Sequence, residues 1–338
     1  MNRRSFTQTL VGSGLWWTAE ESNRTKPIAY LKPGDRIGLI CPSGPISQER
    51  LERSLSNMDQ LGLVPVLGKH IMQQNGYLAG NQNERLEDLH NMYADLTVKA
   101  IWCIRGGFGA THLLPYLDYK LIKKHPKVLL GYSDITALHC ALSTRLAFSN
   151  FHSPVASSEM TPYTLEQLRN IIFGTSGQLV KIGTSQENDD FIGEGKTVFE
   201  RYVISPGQAH GILWGGNLSL LAALCGTPYL KVNRDFLLFL EDIEEAPYRI
   251  DRMITQLLQV LPLHLLKGIV LGVFEGCEKK ADTASQTLKE MMIDKFSHLS
   301  IPVVYGFPFG HILHQCTLPF GAEAILDTES FSLTVKLP

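Results

Sequence analysis

KVLLGYSDITALHCALSTRLAF (residues 127–148) passes from an apolar strand into a helix within three residues. Val128, Leu129 and Leu130 form a run that is apolar on both faces, as a strand buried within a parallel sheet requires. From Asp134 onward the period changes, and Ile135, Leu138, Leu142 and Leu146 fall on one helical face. Ser133 stands at the join and admits two readings. As a helix cap, its hydroxyl would accept from the N–H of Ile135 or Thr136. As a nucleophile on a sharp strand-to-helix turn, its Oγ would point outward beside the amides of the helix start, which could stabilise an oxyanion. Gly131 precedes the serine by two residues, as in G-x-S-x-G, but Ile135 replaces the second glycine. Taken alone, the stretch favours the cap.

The same alternation extends in both directions. DRIGLICPSGP reads as a strand ending in a Pro/Ser/Gly turn, and QERLERSLSNMDQLG puts Leu51, Leu55, Met58 and Leu61 on one helical face. LVPVLGKH is a second strand, NERLEDLHNMYAD a second helix, VKAIWCIRGG a third strand and THLLPYLDY a short helix. Strands alternating with helices predict an α/β fold over residues 27–160, with a parallel sheet and helices on both of its faces. Its ligand site is expected beyond the carboxyl ends of the strands, where CPSGP, RGGFGA and GYSD lie. Residues 161–200 change character and read as a linker or irregular edge, rich in Gly, Ser, Asn and Asp. Residues 201–338 are expected to form a second, smaller α/β unit. Its strands are ILWGG, FLLFLED, GIVLGVFEG and PVVYGFPFG, its helices NLSLLAALCG and APYRIDRMITQLLQVL, and GAEAILDTESFSLTVKL closes it as a hairpin.

Composition narrows the partner. The 338 residues are 44% hydrophobic and 19% charged, with a formal net charge of −2, so no broad electrostatic surface argues for nucleic acid or an anionic membrane. The cysteines Cys41, Cys103, Cys140, Cys225, Cys277 and Cys316 have neither CxxC pairing nor metal-ligand spacing, and read as free thiols. Neither a cofactor nor a metal is expected. Residues 1–26 carry Arg3-Arg4, then Phe6 and a short apolar run, an order that resembles a twin-arginine export signal or a basic tail. The expected location is periplasmic in the first case and cytoplasmic in the second.

A serine nucleophile needs a base and an orienting carboxylate. His311 follows the apolar strand VVYGFPFG, with His314 as its competitor. The carboxylates are Glu241, Asp242, Glu244 and Glu245; Glu241 ends the apolar run and is expected at a rim, partly buried, while Glu244 and Glu245 suit the dipole at the next helix start. In RGGFGA, glycines permit close approach to a ligand, and Arg105 offers a fixed charge suited to a carboxylate. Trp214 could face either the core or a substrate, and Asn217 reads as a helix cap.

GDRIGLICPSGP, IRGGFGATHLLPYLD, LLGYSDITAL, GILWGGNLSLL, LFLEDIEEAPYRIDRM and YGFPFGHILHQCTLPFGAEAILD, in that order, resemble the LD-carboxypeptidases, the muramoyltetrapeptide carboxypeptidases of serine peptidase family S66. The resemblance implies a Rossmann-like first unit, a β-rich second unit, and a Ser–Glu–His triad at Ser133, Glu241 and His311 in a site formed between the two. It also implies oxyanion donation from the backbone N–H groups of Gly107 and Asp134, no metal, and frequent homodimers. The implied reaction releases terminal D-Ala from a murein tetrapeptide at the bond following the L-centre of its diamino acid. Within that reading Arg105 is expected to hold the substrate's terminal carboxylate and Trp214 to contact substrate. HILHQCTLPFG departs from the small or proline residues usual after the family's histidine. Two alternatives share much of this pattern. One is the microcin C self-immunity branch, which cleaves a peptidyl- or aminoacyl-nucleotide amide; the other is a non-catalytic two-domain binding protein, in which Ser133 is only a cap.

Overall fold

The computed structural model describes residues 30–146, 150–279 and 284–338; the twin-arginine-like segment lies outside them. The first unit alternates strand and helix: β1 (Arg36–Ile40), α1 (Gln48–Gln60), β2 (Val64–Leu67), α2 (Gln82–Ala94), β3 (Val98–Cys103), α3 (Tyr119–Lys124), β4 (Val128–Gly131), α4 (Thr136–Leu146) and β5 (Asn150–His152). These five strands pair in parallel, β2-β1-β3-β4-β5, as the apolar runs predict. The order reverses between β1 and β3, which opens a crevice at their carboxyl ends. Helix starts are fixed locally: Ser47 caps α1, and Asn81 with Glu84 forms a reciprocal capping box on α2.

The stretch expected to be a linker is ordered. It contains α5 (Pro162–Ile172), β6 (Leu179–Ile182) and α6 (Gln186–Gly193), and β6 is an edge strand of the second sheet. Gly- and Asn-rich composition therefore marked an edge here, the other half of the expectation. THLLPYLDY is not one helix but two single 3₁₀ turns, Ala110–His112 and Leu114–Tyr116, with Pro115 inside the second.

The second unit runs β7 (Tyr202–Ser205), β8 (Gln208–Asn217), α7 (Leu218–Leu224), β9 (Phe236–Glu241), α8 (Pro247–Val260), β10 (Leu266–Val273), α9 (Leu288–Phe296) and β11 (Val303–Gly310). After β12 (Leu318–Phe320), the hairpin β13 (Glu323–Asp327) and β14 (Ser332–Lys336) ends the chain as predicted. Its sheet is ordered β6-β14-β13-β8-β9-β10-β11-β7, parallel from β8 to β11 and antiparallel at both edges. Among the described residues it has eight strands against six, so the second sheet is the larger of the two.

The two units are joined by more than the chain between them. β12, although it follows His311, leaves the second sheet and pairs antiparallel with β5 at the edge of the first. Phe320 on β12 packs its ring against Phe239 of β9 and Trp214 of β8, so one buried aromatic cluster spans both sheets. All six cysteines are free, and five are buried.

Candidate active site

Ser133 stands two residues past the end of β4 with φ +61°, a left-handed backbone that a β-carbon residue adopts only when its surroundings impose it. The cap reading fails locally: the Ile135 amide donates to the Tyr132 carbonyl at 3.2 Å, and the turn has no side-chain cap bond. Ser133 Oγ makes no hydrogen bond among the described residues. Gly131, at φ +151°, explains the altered elbow pattern, since a β-carbon there would meet the Ile135 side chain at 3.0 Å. Gly106 from the β3 loop presses on the serine from the other side. A β-carbon on Gly106 would lie 3.0 Å from Ser133 Cβ, 3.2 Å from its Oγ and 3.4 Å from the Asp134 amide.

Three strand-end loops are tied together by the Asp134 side chain, which is buried. It accepts from Ser43 Oγ at 2.6 Å and from the Ala110 amide at 2.8 Å. Burial raises the Asp134 pKa, which these bonds and nearby Arg85 only partly offset. Buried Arg85 in turn donates to the carbonyls of Pro42 and Gly109, at 2.7 and 2.8 Å. The amides of Asp134 and Gly107 engage no acceptor among the described residues.

The second unit supplies a histidine and a carboxylate from the ends of two parallel strands, β11 and β9, on either side of β10. Glu241 ends β9 and is fully buried, deeper than the rim position expected, and its Oε2 lies 2.8 Å from His311 Nδ1 just beyond β11. An Nδ1–H donated to this carboxylate leaves Nε2 as the acceptor facing outward. Burial alone would raise the Glu241 pKa, but His311 outweighs it and the net shift is downward. For His311, burial lowers the pKa while Glu241, then Asp242 and Glu275, raise it, and the net shift is upward. The pair is therefore biased toward carboxylate and imidazolium. Tyr132, next to the serine, brings the two edges together: its ring centre lies 4.8 Å from that of His311 and 6.0 Å from that of His152. His152, buried at the end of β5 against Phe239 and Phe309, is held neutral, its pKa lowered by burial to about 4.

The remaining candidates separate cleanly. Asp242 serves α7: it accepts from the Ser219 amide and hydroxyl and from Asn217 Nδ2, and burial lifts its pKa to about 6. Asn217 caps α7, as read. Glu245 pairs with Arg249 one turn into α8. His314 lies against Thr161 Oγ1 at 3.1 Å and does not share the Glu241 bond. Trp214 is 1% exposed, packed on Phe236 and Phe320, so the expectation that it contacts substrate is corrected: the core claims it because its strand lies central in the sheet. Arg105 is half-buried, and its Nη1 donates to the Pro45 carbonyl at 2.6 Å. Tyr132, His152 and Ser43 were not singled out by the sequence. Only Ser43 carried a signal, its place in a strand-end CPSGP turn. Among the described residues no His, Cys, Asp and Glu cluster could hold a metal ion, and no helix is long and apolar enough to cross a membrane.

Two family models match this geometry in order: the LD-carboxypeptidase N-terminal domain over residues 37–153 and the LD-carboxypeptidase C-terminal domain over residues 210–326. The chain belongs to the LD-carboxypeptidase family. A probable murein peptide carboxypeptidase of Bacillus subtilis (strain 168) is 38% identical over 311 residues, covering 92% of this chain and 94% of the relative. The crystal structure of a muramoyltetrapeptide carboxypeptidase from Oxalobacter formigenes matches with TM-score 0.75 and 28% identity, over 89% of this chain and 97% of its own. A MccF-like protein from Bacillus anthracis str. Ames matches with TM-score 0.80 and 28% identity, over 93% and 100%. The LD-carboxypeptidase fold thus accommodates both kinds of relative, and the division between the two family models falls within residues 154–209, where α5, β6 and α6 lie.

Proposed function

We propose that the protein is a serine carboxypeptidase that hydrolyses the LD-peptide bond of murein tetrapeptides and releases terminal D-Ala. The observation that carries this reading is the strained Ser133 turn set beside a buried Glu241–His311 pair. Ser133 Oγ attacks the scissile carbonyl carbon while His311 Nε2 takes the hydroxyl proton, and Glu241 holds the imidazole tautomer and stabilises the imidazolium. The Gly107 and Asp134 amides donate to the oxyanion. The C–N bond then breaks as His311 protonates the leaving amine, which leaves an acyl ester on Ser133. Water attacks that ester, His311 removes its proton, and the serine hydroxyl is restored. The Ser133–His311 hydrogen bond forms as substrate completes the site, a tightening common in serine hydrolases. Homodimer formation is part of the proposal and rests on family resemblance alone.

Incubation with UDP-MurNAc-tetrapeptide tests the reading, with free D-Ala measured beside a Ser133→Ala variant. Release by the wild type alone supports it; equal or absent release from both defeats it. The similarity to a MccF-like structure keeps a second substrate in the same assay: a peptidyl-nucleotide amide cleaved in preference to tetrapeptide would transfer the triad to that chemistry. Ligand bound without turnover of either compound would point to a binding protein.

A further inference from the structure

We propose that Arg50, in the first turn of α1, anchors the free α-carboxylate of the residue that hydrolysis releases, and so restricts cleavage to the chain end. This deepens the proposed function and rests on it. His311 must hand its proton to the departing amine, so the departing residue occupies the histidine's side of the serine. On that side lies a hollow of about 230 Å³, walled by His311, Tyr132, Gln315, Ser157, Arg50 and Arg53. Its volume is below the roughly 300 Å³ at which sites for larger ligands begin, which suits one small residue.

The charge of the hollow is suited to an anion. Arg50 and Arg53 face it against a single acidic side chain, Glu159. Arg53 is held by Glu49 at 2.8 Å, whereas Arg50 has no carboxylate partner among the described residues. Instead Arg50 Nη1 donates to Ser157 Oγ at 3.2 Å, and buried Ser157 is itself fixed by donating to the Ile104 carbonyl at 2.7 Å. One edge of the guanidinium is thereby aimed by a rigid serine, while its other N–H groups are left for a ligand, the fork geometry that matches a carboxylate. Arg105 does not wall this hollow, and its Nη1 is engaged by the Pro45 carbonyl. The anchoring role expected of Arg105 therefore passes to Arg50.

The test compares a murein tetrapeptide ending in D-Ala with the same peptide ending in D-alaninamide. Wild type, Arg50→Gln, Arg50→Lys and Arg105→Ala are assayed on both, with unfolding midpoints recorded; Arg50 is exposed, so its variants are expected to fold. Arg50→Gln should lose about 10- to 100-fold in kcat/KM on the free acid, mostly through KM, with little change on the amide, as removal of a charge-assisted hydrogen bond implies. Arg50→Lys should recover part of the loss. An unchanged acid-to-amide ratio in Arg50→Gln, or a collapse of that ratio in Arg105→Ala instead, overturns the assignment while D-Ala release by wild type keeps the carboxypeptidase reading intact. No release from either peptide by wild type removes both.

Discussion

Ser133 occupies a backbone region that costs a non-glycine residue about 1–3 kcal/mol, and it does so with an uncommitted hydroxyl. That combination separates catalysis from capping. Ser133→Ala should reduce D-Ala release by at least about 10⁴-fold. Denaturant unfolding of the same variant should shift by less than about 0.5 kcal/mol, where a lost cap would cost about 1 kcal/mol. His311 gives the pH dependence. Glu241 raises its pKa above the ordinary 6.5, so kcat/KM falls as pH drops through that raised value and the base becomes protonated. Glu241→Gln should lower the plateau and move this acid limb to lower pH, because the neighbouring negative charge is gone; a limb that stays in place would assign it to another group. In stability the signs are opposite for the two partners. The raised His311 contributes below its unfolded value near 6.5 and less as pH rises through its folded value; the lowered Glu241 contributes above 4.5 and less as pH falls. Both contributions overlap between those values. At this scale the sequence brought Ser133, Glu241 and His311 forward as candidates because each stands at or just past the end of an apolar strand. Tyr132 was not legible, since no periodicity reveals that a ring beside the serine will lie against an imidazole from a segment far along the chain.

Among elements, the loops after β1, β3 and β4 act as one piece because Asp134 and Arg85 bond them to each other. Gly106 is the point at which that assembly presses on the serine, with 3.0 Å between a β-carbon placed there and Ser133 Cβ. Its backbone needs no special φ, so Gly106→Ala acts through the β-carbon alone: the serine turn must shift. We expect kcat to fall about 10²-fold from misplacement of the nucleophile, with an unfolding loss of about 1–3 kcal/mol from overpacking. Loss of stability without loss of kcat would show the turn to be tolerant. Elements of this kind were read well where a period was long enough, as in α8, whose Ile250, Ile254 and Leu257 are all buried. The three-residue strands β5 and β12 were not read, because Asn150–His152 and Leu318–Phe320 are too short to show alternation. The 161–200 region misled for a related reason: polar composition describes an exposed edge strand such as β6 as well as it describes a linker.

In the whole molecule, the boundary between the units is crossed three times: by the chain near residue 160, again into β12, and once more from β12 back to β13. Phe320 sits on that returning strand, wholly buried among rings of both sheets. Phe320→Ala should cost about 3–5 kcal/mol of unfolding free energy, and a single cooperative transition should persist; separate melting of two units would contradict the shared core. His311 falls on the span between β11, in one sheet, and β12, in the other. A hinge that swung the sheets apart would have to peel β12 from β5 and drag His311, the proposed base, with it. β12 therefore straps the two sheets together beside the hollow at His311, and solution scattering should give the same radius of gyration with and without bound tetrapeptide. Murein reaches such a hollow as a loose peptide end attached to a bulky sugar, and only the tip has to enter. On the proposed reading, admission is decided by the end that is offered.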